Sequence, residues 1–226
     1  MKWTGLAKAM ATALGAIVCL AAAPNWNATV SRTDGGHLIG NPNAKVKLTE
    51  FVSYTCSHCG HFAREGDGAL HIAYIGPGKL SLEVRNMVRD SVDLTAAMLT
   101  NCGPVSRFPR NHAVMMLKQP EWFARMEKTS AAQKQRWVSG DNAARRRAIA
   151  SDLGFYDIMT QRGYTRSEIN SCLSDGASAK RLIEASQASW EKSGITGTPS
   201  FAINGTVLAD THSWKILQPQ LDARLK

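Results

Sequence analysis

The chain has 226 residues, 44% of them hydrophobic and 20% charged, a balance that suits one large globular domain or two small ones and excludes a disordered or fibrous chain. Five cysteines are too few for a disulfide-dense mini-scaffold. A net charge of +9, from 27 basic and 18 acidic side chains, admits a nucleic-acid partner only if the charge is concentrated in one place.

Lys2 and Lys8 flank an otherwise uncharged start, followed by a mostly apolar run from Ala9 to Leu20 and by Ala21-Ala22-Ala23. A charged beginning, a short apolar centre and small residues at the end predict a secretory signal over residues 1–23. The run is shorter than the ~20 residues of a spanning helix. Without it, 25 basic and 18 acidic residues leave +7, and Cys56, Cys59, Cys102 and Cys172 form an even set for an oxidising compartment. Leu94 to Ser186 holds 14 basic and 8 acidic residues, with Arg145-Arg146-Arg147 the densest run. On a helix that triplet fans over about 300°, and aromatic residues are not interleaved with it. A solvated helical face is expected, not a nucleic-acid site.

Residues 24–44, with Gly35-Gly36 and Asn41-Pro42-Asn43, read as an irregular lead-in. Lys45 to Val52 alternates and predicts a strand more buried toward its end. Cys56 to Ile75 carries Phe62, Leu70 and Ala73 at helical spacing, although Gly66 and Gly68 weaken it. Gly76-Pro77-Gly78 stops that helix, and Leu80 to Val84 resumes a strand, giving a right-handed βαβ unit with parallel strands. Helical patterns then follow over Leu94–Leu99, Asn111–Lys118, Glu121–Lys128, Asp141–Ile149 (capped by Ser139 or Asp141), Ser167–Leu173 and Ala177–Lys192. Met115, Met116 and Met126 read as helical core. Ser200–Ile203 and Thr206–Leu208 flank Asn204-Gly205, a strong hairpin signal. A final helix from Ser213 places Trp214, Leu217, Leu221 and Leu225 on one face. The class is α/β: a βαβ unit, an inserted all-helical domain, and a ββα ending.

The chemistry resides in Cys56-Ser57-His58-Cys59. When the first cysteine of such a pair starts a helix, unpaired N–H groups and the positive end of the dipole favour its thiolate. Cys56 should therefore titrate well below the ~8.5 of a free cysteine. His58, when protonated, adds a cation close by. A low thiol pKa makes Cys56 a good leaving group and its disulfide a stronger oxidant. Cys59, one turn further on, should be more buried and resolve a mixed disulfide. A zinc half-site and an inert bridge are the alternatives. Zinc needs two further ligands, and although His58 and His61 are near, Cys102 and Cys172 stand 43 or more residues away. No metal or cofactor is expected.

Thr49 to Cys59, preceded by Gly40-Asn41-Pro42 and followed by Phe62, resembles the DsbA family of exported thiol:disulfide oxidoreductases. Gly197-Thr198-Pro199-Ser200-Phe201 resembles that family's cis-proline loop, and the likeness covers roughly residues 39 to 226. The resemblance implies a thioredoxin fold made of residues 24–93 and 187–226, with a helical insert at 94–186, located in the periplasm. It implies Cys56 as the attacked sulfur, Cys59 as the resolving one, and Pro199 as a cis-proline beside them, with Thr198 and Ser57 meeting substrate. Glu50, six residues before Cys56, matches a buried acid the family uses in proton transfer, and Arg85 is a candidate partner for it. His61 and Tyr54 read as rim and packing residues. Cys102 and Cys172 both fall in the insert, where a second, non-catalytic disulfide or two buried free thiols are the choices. Ser57 stands where oxidising members most often carry proline. Thr198 replaces a valine, and threonine there is common in isomerases. Isomerase relatives dimerise or trimerise through an N-terminal extension, so the short lead-in points to a monomeric oxidase. The implied partners are reduced or unfolded exported proteins and a membrane quinone-linked reoxidase. Isomerase or reductase activity, and a peptide-binding, chaperone-like module with structural cysteines, are the alternatives.

Overall fold

A computed structural model describes residues 24–226, so the expected signal segment lies outside the described residues. A six-stranded mixed sheet forms the middle layer, in the order β1 (Val30–Arg32), β2 (His37–Gly40), β4 (Leu80–Asn86), β3 (Val46–Val52), β5 (Ser200–Ile203), β6 (Thr206–Val207). Its two longest strands, β3 (Val46–Val52) and β4 (Leu80–Asn86), pair in parallel with Val46 opposite Leu80 and Val52 opposite Asn86. The crossover between them is helix α1 (Ser57–Phe62), continued through π-helical turns at Ala63–Asp67 and His71–Ile75 around the short α2 (Gly68–Leu70). Gly66, which weakens the helix locally, is where the C-terminal helix approaches: a Cβ there would come within 2.9 Å of the Trp214 ring. Close packing across the layer thus outweighs helix propensity at that position.

β5 (Ser200–Ile203) runs antiparallel to β3 and turns into β6 (Thr206–Val207). Asn204 and Gly205 have φ of +51° and +84°, the left-handed pair that a two-residue hairpin of this twist requires. Asn204 also exchanges hydrogen bonds with the Lys47 backbone, its Oδ1 accepting from N–H at 2.8 Å and its own N–H donating to C=O at 2.8 Å. The final helix, here α11 (Trp214–Leu225), buries Leu217 and Leu221 and packs Trp214 and Leu225 against the same core.

The lead-in is not irregular. It forms β1 (Val30–Arg32) and β2 (His37–Gly40), and β2 pairs antiparallel with β4. Strands of three and four residues are too short to show an alternation, and the Gly pair read as loop is what lets the hairpin lie against β4. A Cβ on Gly36 would stand 2.0 Å from the Val84 carbonyl oxygen. Thr33 closes the turn, its hydroxyl donating to Glu83 Oε1 at 2.6 Å.

The helical segment comprises α3 (Ser91–Thr100), α4 (Phe108–Leu117), α5 (Gln119–Glu127), α6 (Ala131–Arg136), α7 (Asn142–Asp152), α8 (Phe155–Gln161), α9 (Arg166–Ser174) and α10 (Gly176–Ser193). Asp141 is the cap of α7. Helix α10 runs unbroken across position 186. One apolar cluster joins the sheet to the helices, from Leu48 and Val84 through Phe108 and Trp122 to Ile169 and Leu173. Cys102, just past α3, is bridged to Cys172 in α9. The arginine triplet fans out as expected of a helix. Arg146 is buried and its Nη1 donates to the Leu173 carbonyl at 2.7 Å, while Arg147 Nη1 donates to Ser174 Oγ at 3.0 Å. Among the described residues no helix is long and apolar enough to cross a membrane.

Candidate active site

Strand β3 ends in a buried loop, Ser53-Tyr54-Thr55, that delivers Cys56 to the N-cap of α1 with an extended backbone. This is the junction the motif requires, because the first N–H groups of α1 have no carbonyl of their own to bond. Both cysteines are free thiols here, Cys56 5% and Cys59 1% exposed. Cys56 is held down at about 5 by a hydrogen bond from the Cys59 thiol, then by the Thr198 hydroxyl and the Cys59 and His58 backbone N–H groups, all against the opposing effect of burial. Cys59 moves the other way, raised by burial and by its neighbour Cys56. His58 contributes its backbone N–H to the sulfur, while its ring and Ser57 lie exposed on the surface of the turn. His61 is at the rim, 3.0 Å from Glu65.

The cis-proline loop faces the thiols. The Thr198-Pro199 bond is cis, and Cys56 Sγ–H donates to the Thr198 carbonyl at 3.0 Å. The Thr198 hydroxyl is buried with no other partner, which leaves it free to donate to the sulfur when ionised. The Pro199 carbonyl points the other way and accepts from His212 Nδ1 at 2.7 Å. A carbonyl only accepts, so that nitrogen carries the proton.

Beneath the pair lies Glu50, 3% exposed and held well above the usual carboxylate range by burial and by the nearby Asp67 carboxyl. Asp67, on the first π-helical turn, is itself pushed up to about 7 by burial. Arg85 is not the partner of Glu50. In the parallel register Glu50 lies opposite Val84 and Arg85 lies opposite Phe51, so the guanidinium is on the other face of the sheet, 3.0 Å from Glu83. An odd residue offset between neighbouring strands always places side chains on opposite faces.

Several site residues carry no motif. Gln119, the first residue of α5, donates from Nε2 to the Tyr54 and Cys56 carbonyls at 2.7 and 2.8 Å. Asp93 in α3 accepts from Tyr54 N–H at 2.8 Å, Ser53 Oγ at 2.5 Å and Arg89 N–H at 3.1 Å, and burial raises it to about 6. Arg89 donates from Nε to Ser53 Oγ at 2.9 Å and from Nη2 to the Thr55 carbonyl. Tyr54 is wholly buried, its hydroxyl donating to Thr100 Oγ1 at 2.9 Å and lying 2.7 Å from His112 Nδ1. Of this set, only the packing role of Tyr54 is legible from the chain. The other partners are single polar residues on distant helices. Among the described residues no three His, Cys, Asp or Glu side chains are grouped to hold a metal ion.

A sequence profile described as Thioredoxin matches residues 32–223. The chain belongs to the thioredoxin family. The crystal structure of a protein-disulfide isomerase from Novosphingobium aromaticivorans is 50% identical, with a TM-score of 0.81 over 85% of this chain and 98% of that one. The Wolbachia pipientis alpha-DsbA1 structure has the same thioredoxin fold with its helical insert, at a TM-score of 0.67 and 20% identity over 83% of this chain and 89% of that one. A Rickettsia bellii relative with the provisional name protein-disulfide oxidoreductase is 25% identical over 84% of this chain. The chain spans 64% of that relative's length. In the chain, helices α3–α10 lie between β4 and β5.

Proposed function

We propose that this thioredoxin-family protein is an exported, periplasmic thiol:disulfide oxidoreductase that introduces disulfide bonds into other exported proteins through Cys56 and Cys59. The observation that carries the reading is the opposed acidity of two thiols three positions apart, one held at about 5 and the other well above its usual value. Starting from the Cys56–Cys59 disulfide, a substrate thiolate attacks Cys56 Sγ. The intramolecular S–S bond breaks, a mixed disulfide forms, and Cys59 leaves as a thiolate that must gain a proton. Glu50, whose burial favours its protonated form, is the donor beneath it. A second substrate thiolate then attacks the substrate sulfur of the mixed disulfide and Cys56 departs as a stabilised thiolate. Two electrons remain on the enzyme, and a membrane quinone-linked reoxidase removes them. The low pKa of the departing thiol favours this direction. Pro199, Thr198 and the exposed Ser57 form the surface where an unfolded chain is received, and the protein works as a monomer.

Isomerase or reductase activity is a second reading. It is favoured by the buried Thr198 hydroxyl beside Cys56 and by the isomerase name of the 50% identical structure. The reduction potential of the Cys56/Cys59 pair in glutathione buffers separates the two. A value near ~−120 mV supports a disulfide donor, and one near ~−270 mV supports a reductant or isomerase. Absence of any thiol–disulfide equilibrium would sink both, leaving a peptide-binding module; retained peptide binding in Cys56→Ser would then identify it.

A further inference from the structure

The residues that lead into Cys56 are held by two side chains. Tyr54 and Thr55 form a turn, closed by Cys56 N–H donating to the Ser53 carbonyl at 3.2 Å. Gln119 Nε2 donates to the carbonyls of Tyr54 and Cys56 at 2.7 and 2.8 Å, and Arg89 Nη2 donates to that of Thr55 between them. An amide nitrogen has two hydrogens, and both are used. The reverse orientation would set the amide oxygen against two carbonyl oxygens, so the acceptors themselves determine which end of Gln119 faces the loop.

Gln119 is 2% exposed and lies in the helical insert, at the start of α5, held there by the turn before Pro120. The residue after Cys59 is shaped to it: a Cβ on Gly60 would stand 2.0 Å from Gln119 Oε1. The Cys56 carbonyl it grips is also the one on which α1 begins, accepting from Cys59 N–H at 3.1 Å and Gly60 N–H at 3.3 Å. Fixing that oxygen fixes the first turn, and with it the aim of the His58 and Cys59 N–H groups at the Cys56 sulfur.

We propose that Gln119 is a positioning residue through which the helical insert sets how strongly the first turn of α1 stabilises the Cys56 thiolate, and hence the redox poise of the pair. Its functional meaning rests on the oxidoreductase reading, but its measurement does not. The other groups acting around the sulfur are Cys59 and His58 on α1, Glu50 on β3, Arg89 across Thr55, and Thr198 and His212 at the cis-proline loop. None of these side chains is itself replaced by a change at position 119 or 60; only the aim of the first-turn N–H groups is expected to shift.

The test compares the full chain with Gln119→Ala, which removes both donors, and Gly60→Ala, which leaves the amide intact but pushes it aside. In the reduced proteins, the ultraviolet absorbance of the thiolate reports the Cys56 midpoint. Each single variant is expected to raise it by about one unit, a tenfold loss of thiolate at a given pH. The equilibrium with glutathione should move by up to tenfold in the same sense, about 30 mV more negative. The double variant should match Gln119→Ala alone, because the added methyl then has no amide to displace. Unchanged midpoints and potentials in both single variants, with only a lowered denaturation midpoint, overturn the proposal and reduce Gln119 to packing. If Gln119→Ala fails to fold, Gly60→Ala decides alone. Failure of the oxidoreductase reading would look different: no glutathione equilibrium in the parent chain, while the Cys56 midpoint still responds to both substitutions.

Discussion

Cys56 and Cys59 carry the same side chain, and their positions on one helical turn drive their acidities apart. In the reduced protein, alkylation of Cys56 should reach half its maximal rate near pH 5 instead of near 9, and Cys59 should stay unreactive. A pH series with mass-spectrometric assignment of the label checks both. A thiol pKa lowered on folding adds stability that is fully present above the unfolded value of about 9 and is lost as pH falls through about 5. The reduced form should therefore gain stability across that window relative to the disulfide form, which lacks the group. Thr198→Val removes the hydroxyl that faces the sulfur, so the alkylation midpoint should move up, by less than about one unit.

At this scale the cysteine pair and Pro199 are legible in the chain because each sits in a short contiguous motif. The burial of Glu50 is not, since one alternating strand has two faces and the chain alone does not say which is covered. Arg85 shows the opposite failure, a plausible charge partner placed on the wrong face by a register the sequence does not state. Gln119, Asp93 and Asp67 carry no signal. Gln119 is an ordinary polar residue on a helix whose partners lie 63 and 65 positions earlier.

Among the elements, α3 ties the insert to the active-site loop. Its cap Asp90 accepts from Asp93 N–H at 2.8 Å and from Thr55 Oγ1 at 2.8 Å, and Asp93 behind it takes three donors from the loop and from Arg89. Buried donors left unpaired cost ~1–3 kcal/mol each and do not add fully. Asp93→Ala should thus lower unfolding stability by about 3 kcal/mol in urea denaturation, and Asp93→Asn, which keeps one acceptor oxygen, by less. Elements with a clear period or cap are readable from the chain: β3, β4, the Asn204-Gly205 hairpin, α7 and α11. The short ones are not. Helix α6 is two alanines and four polar residues, mostly exposed, secured by a Ser130–Gln133 capping box, and α8 follows Gly154 at φ +78° with no side-chain cap. Neither offers an amphipathic period long enough to detect.

For the molecule as a whole, the sequence divides the chain into a split unit and an insert, but the apolar core runs through both. The Cys102–Cys172 bridge spans 70 positions and fastens the end of α3 to α9. In the chain-entropy account a loop of that length contributes up to ~4 kcal/mol. Replacing both cysteines by serine should therefore lower stability by about 2–4 kcal/mol in denaturant titrations. A cost below about 1 kcal/mol would show that the core already fixes these two helices. Much of the positive charge in the helical segment serves internal bonding, at Arg136 with Asp152, Arg146 with the Leu173 carbonyl and Arg147 with Ser174, which fits a spread of arginines better than a concentrated patch.

The sheet begins and ends in stubs. β1 has three residues and β6 has two, and an open strand edge is a template on which any extended chain can grow. A protein that we propose meets unfolded, strand-forming polypeptides at every turnover would be at risk of being captured by its own clients. With its margins cut this short, and under the function proposed above, a visiting chain would be received at the cis-proline loop instead, where the encounter is brief because it ends in a chemical step. Quarantine of the edges is thus a condition for handling sticky substrates without co-aggregating with them.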